Sequence, residues 1–247
     1  MKRSAEIERG LERRRAALTH LSAAQLEHPT TLSLEGGEGW PEGLESLRSL
    51  RSVAFDTWEH PDLSRLHELP ELLGVELAYC SVEDLSPLGA VPGLVEVELR
   101  GGAVRDVAPL LGLPKLRGVA LAGNPLSDES WHELLPRLWA RGVREHPHYR
   151  LHEREWRLTR RFFDSGRRIC ALRDIDGGIR LLVPGRGATL GRVVFLSGPE
   201  VLEEVLAAEP DLDTWGLMTR LRQRRWEERG RQGRPPGPLL PPEPGSP

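Results

Sequence analysis

The chain has 247 residues, enough for one elongated domain and a smaller one. Its 38% hydrophobic and 29% charged content suits a packed core under a charged surface, and a net charge of −3 gives no global electrostatic case for nucleic acid or membrane. Cys80 and Cys170 are the only cysteines, which excludes a disulfide framework.

Residues 4–26 read as a polar helix with Ile7, Leu11, Leu18 and Leu21 along one side. Met1–Leu26 is charged throughout, without the apolar stretch of a secretory signal, and no apolar run of 18 residues follows anywhere. A membrane span is therefore not expected. The basic residues are nearly all Arg, with Lys2 and Lys115 the only lysines. With abundant Gly, Pro and Ala, that composition suits a GC-rich bacterial genome, and a cytoplasmic location is the expectation.

A 22-residue period follows. Leu50-x-x-Val53-x-Phe55, Leu72-x-x-Val75-x-Leu77, Leu94-x-x-Val97-x-Leu99 and Leu116-x-x-Val119-x-Leu121 superimpose without a gap, and Leu32 and Leu34 form a degenerate first copy one residue short. Such a period belongs to a solenoid, in which no unit buries its apolar side alone and each leans on its neighbours. The helix over 4–26 is the natural cover for the first rung. Leu47, Leu69, Val91 and Leu113 precede the leading leucines by three positions. Asp62, Asp84 and Asp106 each open a short segment, such as Asp84-Leu-Ser-Pro-Leu88, and an Asp there accepts a backbone N–H to start a helical turn on the outer side. Leu63, Leu85 and Val107, then Leu66, Leu88 and Leu110, supply that turn's inward face. Each buried Leu is worth roughly 1.5–3 kcal/mol, so this ladder is the source of stability.

On these residues, 28–145 resemble a leucine-rich repeat array of the short bacterial type. Leu116-Arg-Gly-Val-Ala-Leu-Ala-Gly-Asn124-Pro-Leu126 is the fullest copy of the L-x-x-L-x-L-x-x-N-x-L pattern. The resemblance implies an α/β right-handed solenoid of about five 22-residue repeats and a protein-binding role. The Asn position departs from the pattern, holding Gly37, Trp58, Cys80 and Gly102 before Asn124. That weakens the buried amide ladder, and Trp58 with Pro61 predicts an irregular second repeat. A helical stripe of Trp131, Leu134, Leu135, Leu138 and Trp139 closes the array at Gly142, with a kink or break at Pro136. Val143 fits a short sixth strand.

The period ends near residue 147. The expected organisation is a cap over 1–26, a solenoid over 27–146, a small α+β domain over 147–229, and a disordered Pro/Gly-rich tail over 230–247. In the third part, Tyr149–Phe163 reads as a helix. Ile169–Ile175, Ile179–Val183 and Arg192–Leu196 read as strands, the first two joined by a hairpin turn at Asp176-Gly-Gly178. Pro199–Ala208 and Thr214–Arg229 read as helices. Gly178–Ala208 resembles the SUKH group of bacterial immunity proteins, and Leu206–Gly230 resembles a small companion domain found beside bacterial leucine-rich repeats.

On a parallel solenoid sheet the residues flanking the buried strand positions form the concave face. Here they are Thr31, Ser33 and Glu35; Ser52, Ala54 and Asp56; Gly74, Glu76 and Ala78; Glu96, Glu98 and Arg100; Gly118, Ala120 and Ala122. Glu35, Asp56, Glu76, Glu96 and Glu98 face the single base Arg100, with Tyr79 at the rim as an aromatic anchor. This face suits a partner protein carrying a basic segment. Five strands span roughly 19 Å, enough for a helix or loop of that partner.

Other motifs weigh less. Cys80 stands at the Asn/Cys position of its repeat as a structural thiol, and Cys170 lacks an activating His or Asp pattern. His146, His148, His152 and Glu153, with His132, suggest a metal-dependent enzyme only if His148 and His152 share a helix face four residues apart. Gly185-Arg-Gly-Ala-Thr-Leu-Gly191 lacks the Lys-Ser/Thr of a phosphate loop and reads as a flexible loop. Residues 147–234 carry 18 arginines against 13 acids, including Arg220–Arg229 around Trp226, whereas residues 1–146 carry 16 basic residues against 23 acids. That asymmetry is open to three readings: nucleic-acid contact by the second domain, attraction between the two domains, or a solvated helix face. Nucleic acid is the least expected, because Glu227 and Glu228 dilute the basic run. No acid/base pair, nucleophile or cofactor fingerprint names a reaction. The expectation is a non-catalytic binding module without cofactor or metal. The alternatives are an immunity or antitoxin protein, with its specificity in the second domain, and the metal-dependent enzyme.

Overall fold

The 22-residue period becomes a parallel sheet in the computed structural model, which describes residues 3–17, 28–173, 178–184, 193–196, 200–209, 211–228 and 235–238. Helix α1 (Ala5–Ala17) precedes β1 (Thr31–Glu35), β2 (Glu38–Gly39), β3 (Ser52–Asp56), β4 (Glu59–Pro61), β5 (Gly74–Ala78), β6 (Glu96–Arg100), β7 (Gly118–Ala120) and β8 (Arg144–Glu145). The main sheet runs β1-β3-β5-β6-β7-β8, every pair parallel. Val53, Val75, Val97 and Val119 are direct cross-strand partners. That alignment puts one residue type at one depth in four consecutive coils, so each Val covers the next.

The interior is the predicted ladder. Leu47, Leu50, Leu66, Leu69, Leu72, Leu88, Leu94, Leu110, Leu113 and Leu116 are all buried. Ile7 and Leu11 of α1 join the same core beside Leu32 and Leu34, while Leu18 and Leu21 lie outside the described residues. On the outer side, Asp62, Asp84 and Asp106 accept the backbone N–H of Ser64, Ser86 and Ala108 at 3.1, 2.8 and 2.8 Å. They start two 3-10 turns (Leu63–Glu68 and Ser86–Ala90) and the one-turn helix α2 (Ala108–Leu111). Each cap satisfies a donor that a helix start leaves open.

The second coil is irregular, as Trp58 and Pro61 predicted. The Trp58 indole is 1% exposed, donates to the Gly39 carbonyl at 3.0 Å, and meets Phe55 edge-on at 5.3 Å. Its ring lies where a Cβ on Gly37 would stand, and β2 pairs with β4 alongside it. Gly102 makes room in the same way for Asn124, whose Oδ1 would be 2.8 Å from a Cβ there. Asn124 Nδ2 donates to the carbonyls of Leu99 and Leu121 at 2.7 and 2.9 Å, and its Oδ1 accepts from Val104 N at 3.2 Å. A large residue at this position is thus matched by glycine one coil earlier.

Near the end of the array a π-helical turn (Ser130–Leu134) runs directly into α3 (Leu135–Ala140), with Pro136 in the first turn of α3. Proline has no N–H to give the preceding turn, so the helix widens before it instead of breaking.

The non-repeating part holds α4 (Glu153–Asp164), β9 (Cys170–Arg173), β10 (Ile179–Leu182), β11 (Val193–Leu196), α5 (Glu200–Ala208) and α6 (Thr214–Glu228). Its three strands are antiparallel in the order β11-β10-β9. The helix expected over Tyr149–Phe163 starts only at Glu153, because the chain stays extended through His152 (φ −130°, ψ 130°). Asp176 and Gly177 of the expected hairpin turn, the Gly185–Gly191 loop and most of the 230–247 tail fall on residues outside those described.

The two parts are packed together. The Trp156 indole donates to the Leu126 carbonyl at 2.8 Å and stacks on Trp131 with centroids 4.2 Å apart. Cys170, Leu172 and Leu182 form an apolar cluster with Ala122, and Tyr79, Tyr149 and Phe163 lie against it. Arg168–Glu83 at 2.7 Å, Arg105–Asp164 at 2.9 Å and the Arg160–Asp128 pair cross the same boundary. The charge asymmetry is spent here, basic side chains of the second part meeting acids of the first in two of these three pairs.

Candidate functional site

The residue after each of β1, β3, β5 and β6 lies in the left-handed region (Gly36, Thr57, Tyr79 and Gly101), as does Gly123 three residues after β7, with φ between 54° and 76°. This turn ends the strand and swings the chain to the outer side, and glycine adopts it without strain. At Gly101 and Gly123 the missing side chains have a second use. A Cβ on Gly101 would come within 2.7 Å of Tyr79, and one on Gly123 within 2.8 Å of Leu172. The second part docks on this edge, over the ends of the strands.

That docking divides the concave face. Ala78, Ala120 and Ala122 are buried. Tyr79 is not a free anchor at the rim: it packs on the cluster containing Leu172 and Leu182 of this same chain, and burial, ahead of nearby charges, raises its phenol pKa. Arg100 is 13% exposed, pairs with Glu76 and with Glu98 (3.7 Å), and lies 4.2 Å from the Tyr149 ring. Glu76 and Glu98 are thereby partly neutralised from within. Glu35 pairs with Arg13 at 3.3 Å. Asp56 is half-buried, and burial first, then the Glu35 charge, raises its pKa against the pull of Arg100 and Arg13. Glu96 stays exposed, with no ion pair among the described residues.

Five of the seven residues expected to bind a partner therefore belong to one charge network across β1, β3, β5 and β6: Glu35, Asp56, Glu76, Glu98 and Arg100. Glu96 stands apart on the open side of β6, and Tyr79 is sequestered under the second part. Sequence reasoning missed the residues around β8. Arg144 pairs with Gly118, which pairs with Glu96, and Pro147 follows one residue after His146, whose N–H bonds the Val119 carbonyl at 2.8 Å. Together with Glu98, Arg117 and Glu145 they line a trough of about 440 Å³ over the bare backbone of Gly118. The signal available was Val143 as the start of a sixth strand, which carries its neighbours onto the sheet.

The histidines do not converge as the enzyme alternative requires. His148 and His152 both precede α4, so they share no helix face. His146 lies 5.6 Å from His148 and stacks on Tyr149, while His132 sits against Trp156. Among the described residues no group of three or more His, Cys, Asp and Glu is arranged to hold a metal ion. Cys80 donates to the Phe55 carbonyl and Cys170 to the Gly102 carbonyl, each at 3.3 Å. Burial pushes the Cys80 thiol up to about 12 and Cys170 upward as well, away from a reactive thiolate. No helix among the described residues is long and apolar enough to cross a membrane.

No family model matches the chain, and no curated protein matches it either. Solved structures do. An internalin (inlF) from Listeria monocytogenes is 22% identical with a TM-score of 0.41, over 57% of this chain and 42% of that one, so this chain covers less than half of it. Internalin C2 from the same species is 17% identical with a TM-score of 0.38, over 51% of this chain and 68% of that one. The Drosophila melanogaster SNF/U2A′ complex contains a chain 21% identical with a TM-score of 0.36, over 54% of this chain and 80% of that one. Likeness of this degree bears on no partner or activity. The repeat architecture rests on the chain's own in-register period.

Proposed function

We propose that this chain is a non-catalytic module that binds another protein through the open part of its concave sheet. The carrying observation is the division of that face. The edge at the strand ends is closed by Tyr149, Phe163, Cys170, Leu172 and Leu182, whereas Ser52, Ala54, Glu76, Glu96, Glu98 and Gly118 retain solvent exposure on rigid, hydrogen-bonded strands. A rigid scaffold that leaves one face open loses little ordering entropy on binding. In this reading α1 caps the first coil, about five repeats form the array, and residues 147–228 cap its edge and cover Tyr79. The protein is a cytoplasmic bacterial scaffold whose partner presents charged side chains, a basic one among them, and neither nucleic acid nor membrane is its target.

The test uses the full chain. Partners captured from the source organism are identified by mass spectrometry, and the purified partner is titrated against variants. Glu96→Lys/Glu98→Lys and, separately, Ala54→Arg are each expected to weaken binding at least tenfold with the melting temperature preserved. Unchanged affinity in both would place recognition elsewhere.

A further inference from the structure

Along one row of the concave face, Glu96, Gly118 and Arg144 are consecutive cross-strand neighbours. With no side chain on Gly118, the acid and the base stand two strand spacings apart, about 9.6 Å at the backbone. Opposite charges on adjacent strands ordinarily pair, as Arg100 does with Glu76 in the next column but one. Glu96 and Arg144 have the strand of Gly118 between them, and Glu96, Arg117 and Arg144 are exposed with no ion-pair partner among the described residues. The bare floor between them is the trough of about 440 Å³, with Glu96 and Glu98 on one wall and Arg144, Glu145, His146 and Pro147 on the other, the Glu145 carboxylate accepting from the Leu151 N–H.

A purely basic ligand would satisfy one wall and be repelled by the other. An extended peptide satisfies both when it carries opposite charges two residues apart, because residues i and i+2 project from the same face about 7 Å apart and long side chains span the rest. We infer that the trough seats an extended segment of the partner protein in which a Lys or Arg, bound by Glu96 and Glu98, lies two residues from an Asp or Glu, bound by Arg144 and Arg117. The inference rests on the concave-face reading and narrows it: the recognised segment is of mixed charge rather than simply basic, and it crosses the last three strands.

The test titrates the full chain with synthetic nine-residue peptides of extended-favouring sequence whose central triplet is Lys-x-Glu, Lys-x-Lys, Glu-x-Glu or Ser-x-Ser. Lys-x-Glu should bind at least tenfold tighter than Ser-x-Ser and tighter than either like-charged peptide. Glu96→Lys should shift the preference to Glu-x-Glu, Arg144→Glu should shift it to Lys-x-Lys, and the double swap should restore Lys-x-Glu. Gly118→Leu should abolish binding without unfolding the chain, since a Cβ at that position meets only Glu96, at 3.5 Å. Equal affinity for all four peptides, or indifference to Gly118→Leu, overturns the inference. Cross-linking of the trough to the chain's own tail or to a second copy also overturns it. Because Ala54 lies outside the trough, partner binding that is lost with Ala54→Arg and retained with Gly118→Leu refutes the trough and leaves the broader reading standing.

Discussion

The indole nitrogen of Trp156 donates to the main-chain carbonyl of Leu126 at 2.8 Å, tying the first helix after the repeats to the last regular coil. The same ring is stacked within 6° of parallel on Trp131. A hydrogen bond and an aromatic stack on one buried side chain join the two parts, and the expectation is that they unfold together. Trp156→Ala is expected to cost about 3–5 kcal/mol, and Trp156→Phe, which keeps the stack and loses the donor, about 1–2 kcal/mol. Urea unfolding followed by tryptophan fluorescence and by far-ultraviolet circular dichroism checks this. The two transitions should coincide in the wild type and separate in Trp156→Ala.

Gly123 and Gly142 separate backbone strain from docking. Both have positive φ, 76° and 83°, but a Cβ on Gly142 meets nothing within 4 Å whereas one on Gly123 strikes Leu172. Gly142→Ala should therefore cost only the left-handed penalty, about 1–2 kcal/mol. Gly123→Ala should cost a further 1–3 kcal/mol or so from overpacking. Thermal melts of the two variants give the difference, and equal melting temperatures would show that the second part does not press on this edge.

What the sequence made legible was whatever repeats. The register of Val53, Val75, Val97 and Val119, the Asp caps and the buried leucines all follow from one period, because identical coils must meet identical neighbours. The fate of Tyr79 was not legible, since its cover comes from Leu172 and Leu182, about a hundred residues away in a segment with no period. The same holds for Arg144: two residues of strand carry no pattern, yet they add a wall to the site. Local signals likewise placed the start of α4 too early, because the extended run through His152 is held by Glu145 accepting from the Leu151 N–H rather than by helix propensity.

Asp56 gives a pH signature. Its folded pKa lies above its unfolded value, so its favourable contribution to stability exists below the unfolded value near 3.9 and is lost as pH rises through the folded one. Ionised Asp56 is a cost at neutral pH. Asp56→Asn is expected to raise the melting temperature at pH 7 and to leave it unchanged at pH 3, measured by scanning calorimetry.

The thiols behave in the same sense at the alkaline end. The raised Cys80 value means that its contribution is intact below the ordinary thiol range, near 8.5, and falls away toward pH 12. Both buried thiols should resist Ellman's reagent at pH 8 for as long as the chain stays folded, and both should titrate in guanidinium. Rapid native labelling of either one would contradict the packing around Phe55 or Gly102.

The most direct measurement on the central claim is site-specific photo-cross-linking to the purified partner from three positions of the full chain. A benzophenone side chain at residue 52 or 147, bordering the open concave face without filling it, should capture the partner, and one at residue 90, on the outer side of a coil, should not. Capture from residue 90 alone would contradict the account.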